Sequence, residues 1–68
     1  MNKYVVATFD LYTNESSLTI VEAENIVKAF KKVPQALNFI DNMTDDSTLE
    51  DLKKEAFDRD GMIDIILI

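Results

Sequence analysis

The sequence predicts an α+β domain. A three-stranded sheet, formed by an N-terminal β-hairpin and a C-terminal strand, carries two or three helices on one face, in the order β-β-α-α-α-β. Three observations predict it. Apolar residues alternate with a period of two near both ends of the chain. They recur at helical spacing through the middle. The only proline and the only glycine punctuate that middle stretch.

Residues 3–12 alternate Val5, Ala7, Phe9 and Leu11 with Tyr4, Val6, Thr8, Asp10 and Tyr12, the pattern of a strand rich in β-branched and aromatic residues. Thr13–Ser16 is a polar turn. Ser17–Ala23, with Leu18 and Ile20 on one side and Thr19 and Val21 on the other, returns as the second strand of a hairpin. The period changes at Glu24. Ile26, Ala29, Phe30, Val33 and Leu37 form the stripe of an amphipathic helix, with Glu24 in its first turn and Lys31 and Lys32 near its end, as the helix dipole favours. Pro34 disfavours helical geometry at Val33, so a break is expected there, followed by a short helix through Gln35–Asn42 with Ala36, Leu37 and Ile40 inward.

Asn42–Ser47 is an acidic loop. Ser47-Thr48-Leu49-Glu50 fits a capping box with Ser47 as N-cap and Glu50 at N3. The helix it opens runs to about Arg59, turns Leu49, Leu52, Ala56 and Phe57 toward the core, and pairs Glu50 with Lys54. Gly61 is the expected left-handed terminator. Met62–Ile68 is the last strand. Its final four residues are apolar on both sides, the pattern of a strand central in its sheet or packed in an interface.

Sixty-eight residues make one domain of marginal stability. No cysteine and no Cys/His set is present to staple it, so a tidy core or self-association must suffice. If helices cover the Val5/Ala7/Phe9/Leu11 face, then Tyr4, Val6, Tyr12, Ile66 and Ile68 are left as an apolar patch, the expected interface of a homo-oligomer, dimer or higher.

The chain also lacks histidine and tryptophan. Ser16, Ser17 and Ser47 fall at turn or cap positions with no base to activate them, so an enzyme is not expected. A single glycine excludes a phosphate-cradling loop. Asp58-Arg59-Asp60-Gly61 is similar to a fragment of an acidic calcium loop, but Met62 takes the fifth position and the chain ends before the twelfth. No cofactor and no metal are expected. No charged segment leads into a signal-type apolar run, and no apolar run approaches the roughly 20 residues needed to span a bilayer, so a cytoplasmic location is expected.

The net charge of −6 is unevenly placed. Residues 41–64 hold nine acids and three bases, and the first forty residues hold four of each. Such a chain is repelled by nucleic acid and anionic membranes, and its natural partner is a protein with a basic surface. Asp51, Glu55 and Asp58, at i, i+4 and i+7, share one helix face, and Asp45 and Asp46 extend the row from the loop. A row of carboxylates could occupy a basic groove built for DNA or RNA, or serve only as a solubilising face. Two other readings remain open. Lys28, Lys31, Lys32 and Arg59 could contact the phosphates of a nucleotide sequestered between subunits, or the apolar face could serve a structural assembly.

The opening Lys3-Tyr4-Val5-Val6 with Phe9-Asp10, the phrase Ile20-Val21-Glu22-Ala23-Glu24 leading into a helix, and the closing segment Leu49–Ile68 together resemble the small acidic accessory proteins that tailed bacteriophages express early in infection. The resemblance implies a stoichiometric inhibitor of a host protein, acting in the host cytoplasm. It carries over no site residues.

Overall fold

The computed structural model describes residues 1–68. The elements are β1 (Asn2–Asp10), β2 (Glu15–Ala23), α1 (Ile26–Lys31), α2 (Pro34–Leu37), α3 (Leu49–Asp58) and β3 (Gly61–Leu67). They form the α+β domain that the sequence predicts, an antiparallel sheet ordered β2-β1-β3 with the helices on one side. β1 is the central strand and β3 lies at an edge. The two-sided hydrophobicity of β3 therefore does not mark it as central. One of its sides meets the helices and the other joins an open face.

The hairpin turns at Leu11–Asn14. Asp10 Oδ1 accepts from the backbone N–H groups of Tyr12 and Thr13, Asn14 N–H returns to the Asp10 carbonyl at 2.8 Å, and Asn14 takes a left-handed φ of 60°. Asparagine tolerates that conformation better than most residues, and its short side chain suits a hairpin tip.

Helix α1 is capped by Asn25, whose Oδ1 accepts from Lys28 N–H at 2.9 Å. Glu24 precedes the cap and pairs with Lys28 at 2.8 Å. The break at Val33 occurs where Pro34 demands it: Val33 is extended and Pro34 opens α2. That helix closes after one turn, and Leu37 points outward while Ala36, Phe39 and Ile40 are buried.

Two local expectations shift by one residue. Thr48, not Ser47, caps α3, its Oγ1 accepting from Asp51 N–H. Ser47 closes the preceding turn instead, accepting from Thr44 N–H at 3.0 Å. At the other end, Asp60 (φ 62°), not Gly61, takes the left-handed position. Gly61 is needed for space: a Cβ there would sit 2.3 Å from the Phe39 ring. The ion pairs on α3 join Arg59 to Asp41 and Glu55, and Lys53 to Asp64, rather than Glu50 to Lys54.

The largest correction concerns the sides of β1. Tyr4, Val6 and Thr8 face the helices and are buried, Val6 completely, whereas Val5, Ala7 and Phe9 face away. Tyr4 and Val6 are thus core residues and cannot form the outer interface expected of them. Both sides of β1 are apolar, so its alternation cannot choose between them. The choice is made by β3, where Asp64 stands between Ile63 and Ile65. The side that carries Asp64 must meet water. The antiparallel register sets Ala7 opposite Asp64 and Val6 opposite Ile65, so Val6 follows Ile65 inward.

The core joins Val6, Ile63 and Ile65 from the sheet to Val27, Ala29 and Phe30 of α1, Val33, Ala36, Phe39 and Ile40 around α2, and Leu52 and Ala56 of α3. Helix α1 lies over β1 and β2, and α3 over β3. No helix is long and apolar enough to cross a membrane.

Candidate functional site

Two surfaces concentrate the unusual features of this chain, and they lie on opposite layers. The first is the acidic edge of α3. At 100° per residue, Leu52 and Ala56 point into the core, Asp51, Glu55 and Asp58 flank them on one side, and Lys53 and Phe57 flank them on the other. The loop after α2 is fastened to the acidic edge by Asp41, whose N–H donates to Glu55 Oε2 at 2.9 Å. From there it proceeds through Asp45 and Asp46 to the start of α3.

The predicted acidic row is therefore assembled in part. Asp51 and Asp58 are exposed and unpaired, as are Asp45 and Asp46. Glu55 is not free. It holds the Asp41 amide and lies 3.9 Å from Arg59, which also binds Asp41 at 2.9 Å. The hydrogen bond to Asp41 holds the Arg59 guanidinium above its ordinary value.

The second surface is the open side of the sheet. Leu18 and Ile20 of β2, Val5, Ala7 and Phe9 of β1, and Met62 and Ile66 of β3 share it. Its rows are set by register: Ile20–Val5–Ile66 across one line and Leu18–Ala7–Asp64 across the next. Leu18 is 77 % exposed, Ile20 64 % and Ile66 61 %. Phe57, expected in the core, is 60 % exposed and instead reaches round β3 toward this face. Between it and the sheet lies an open groove of about 350 Å³ lined chiefly by Ala7, Phe9, Met62, Asp64 and Lys53.

Of the apolar interface residues expected from sequence, Ile66 belongs to this face. Ile68 is exposed beyond the end of β3, its N–H bonded to the Lys3 carbonyl, and Tyr12 stands at the hairpin tip. Sequence reasoning missed Val5, Ala7, Phe9, Leu18, Ile20 and Met62 as members. The signal that could have found them was Asp64, whose side of β3 fixes the outer side of the whole sheet.

A polar recess of about 280 Å³ opens between the hairpin end and α2, lined by Thr8, Asp10, Glu15, Ser16, Ser17, Gln35, Asn38 and Phe39. The Thr8 and Ser17 hydroxyls bond each other there, and every buried polar side-chain atom of the chain has a partner. No group of three or more acidic side chains is arranged to hold a metal ion.

The four basic residues considered for phosphate contacts have separate engagements. Lys28 is bound by Glu24, and that hydrogen bond raises Lys28 and lowers Glu24 from their ordinary values. Lys32 donates to the Glu22 carbonyl, and Arg59 binds Asp41 at the far end of α3. Lys31 and Lys32 make no ion pair, and of the four only the Lys31 side chain also lacks a hydrogen bond.

Comparison with family models, with curated proteins and with solved structures found no match to this chain.

Proposed function

We propose that this chain is a non-enzymatic binding protein that occupies a basic surface on a partner protein, an inhibitor of the kind its resemblance to early bacteriophage proteins implies, acting in the host cytoplasm. One observation carries the reading: Asp45 and Asp46 of the α2–α3 loop and Asp51 and Asp58 of α3 are all exposed and outside every ion pair, while the Asp41–Glu55 hydrogen bond ties the start of that loop to α3. These four carboxylates are exposed and spend nothing on internal ion pairs, so they can supply long-range attraction and rapid association. Arg59, Asp41 and Glu55 tie the start of the loop to the C-terminal half of α3. The reading places mimicry of a nucleic-acid backbone second to simple charge complementarity, because Glu55 is drawn out of the row.

The test is capture of proteins from bacterial lysate by the purified chain across a salt series, beside a variant with Asp45→Lys, Asp46→Lys, Asp51→Lys and Asp58→Lys. A basic protein retained at low salt, released as salt rises and missed by the variant supports the reading. Equal capture by the variant ends it.

A further inference from the structure

We infer that a second copy of this chain is the occupant of the open sheet face, the two sheets packing face to face into a four-layer α/β/β/α dimer. The molecule is a thin slab, only 16 Å in its smallest extent, with a helical layer on one side and no layer on the other. Val5, Phe9, Leu18, Ile20, Met62 and Ile66 stand on the uncovered side. Sheets with one apolar side reach stability by covering it, and a second sheet at about 10 Å is the simplest cover.

Charge selects the second copy over a charged partner. The chain carries a net −6, yet the open face is balanced. Lys3 stands opposite Glu22 in the register, and Asp64 lies 3.5 Å from Lys53. The excess acids lie on the helical layer. In a face-to-face pair those layers point outward, roughly 20 Å or more apart, well beyond a Debye length of about 8 Å at physiological salt. Two strongly acidic molecules can therefore meet through this face with little mutual repulsion.

The sheet edges are poorer alternatives. On β3, Asp64 Oδ1 accepts from Ile65 N–H at 2.8 Å and so occupies a backbone donor. The even-numbered Ile68 N–H points to β1, so alternation directs the Ile65 N–H to the outer edge. On β2, Glu15 and Glu22 stand near the two ends of the strand. Antiparallel pairing of two β2 strands about their centre, Thr19, would set Glu22 of each beside Ser16 of the other and bring Glu15 within one position of it, crowding like charges at both ends.

Area sets the strength. Three strands about 4.8 Å apart and seven to nine residues long present roughly 350–450 Å² in projection, and somewhat more as accessible surface. Two such faces bury on the order of 1,000 Å², near the lower bound for a specific interface, so the expected dissociation constant is micromolar, roughly 1–100 μM.

Sedimentation equilibrium on the wild-type chain from about 1 to about 500 μM brackets that range. The average mass should climb from 7.8 kDa toward twice that value. Added salt should leave the dimer unchanged or tighten it, the opposite of its effect on capture through the acidic edge. Ile20→Asp, and independently Met62→Gln on the other edge strand, should weaken association at least tenfold while the circular dichroism spectrum stays that of the wild type. Asp51→Lys with Asp58→Lys should leave association intact, which separates failure of this inference from failure of the acidic-edge reading. A wild-type chain monomeric at the highest concentration overturns the inference. So does a dimer that survives both face variants, and so does a monomer that instead binds phosphatidylglycerol vesicles.

Discussion

The two sides of this sheet differ little in hydropathy and differ completely in fate. On β1, Tyr4, Val6 and Thr8 are sealed beneath the helices, while Val5, Ala7 and Phe9, one residue out of step, look outward. On β2 the stronger hydrophobes, Leu18 and Ile20, are the exposed ones, and Thr19 and Val21 turn inward. Hydrophobic burial therefore did not simply assign the greasier side to the interior. Charge outweighed it: Asp64 near the middle of β3, with Lys3 and Glu22 at the sheet's end, stands on the open side. Burying Asp64 unpaired would cost several kcal/mol, more than the gain from covering one additional Leu or Ile side chain, about 1.5–3 kcal/mol. The comparison teaches that a few charges, shared between strands through register, can set which side of a sheet faces water.

The most forceful way to break the comparison is to place the same charge on each side. Val6→Asp puts a carboxylate at a completely buried position among Ile65 and the helices, and should cost about 3–5 kcal/mol. For a domain of this size, whose total stability is roughly 3–10 kcal/mol, that removes most of the folded population. Leu18→Asp, on the open side, should cost no more than about 1 kcal/mol. Urea denaturation of the two variants measures both. Equal losses would show that the open side is covered in the native protein, and would favour the dimer.

A finer contrast comes from adjacent residues on β3. Gly61 faces inward, and an added Cβ would lie within van der Waals distance of the Phe39 ring, 2.3 Å away. Gly61→Ala should therefore cost about 1–3 kcal/mol by overpacking, although alanine ordinarily stiffens a chain in favour of folding. Met62→Ala, one residue on and facing outward, should cost the monomer only a few tenths of a kcal/mol. Thermal melts at low micromolar concentration, where the monomer dominates, compare them. Glycine at position 61 would thus be a packing requirement and not a helix terminator, since Asp60 already takes the left-handed conformation.

That exchange of roles shows what a sequence of this kind discloses. Element order, the hairpin and the break at Pro34 were all legible, because period, turn chemistry and proline act locally. The sides of β1 were not, since each side is apolar and the deciding residue lies 57 positions away at Asp64, reachable only through the strand register. The caps slipped by one residue because Ser47 and Thr48 can each serve, and the Thr44 turn claims Ser47. The acidic edge was legible as a row on one helix face. The loss of Glu55 from it was not, as no local pattern announces that a loop amide at Asp41 will take its oxygen.

The smallest expected effect sharpens the contrast from the helical side, where the Glu24–Lys28 pair sits at the entrance to α1. Lys28 holds the Glu24 carboxyl below its ordinary value of 4.5, first by hydrogen bonding and then by its charge. A carboxyl held low in the folded state prefers to be ionised there. Its contribution is fully present above pH 4.5 and fades as the pH falls through the lower, folded value. The same pairing raises Lys28 above 10.5, so that contribution persists below pH 10.5 and fades as the pH rises through the folded value. Both groups are exposed, and the pair should move the melting temperature only slightly. Glu24→Gln removes the carboxyl and its part of the acid limb, so the gap between wild-type and variant melting temperatures should close as the pH drops below 4.5. A gap that is constant from neutral to strongly acidic pH would mean that the ion pair adds nothing to the seating of α1, leaving Asn25 as the cap that holds it.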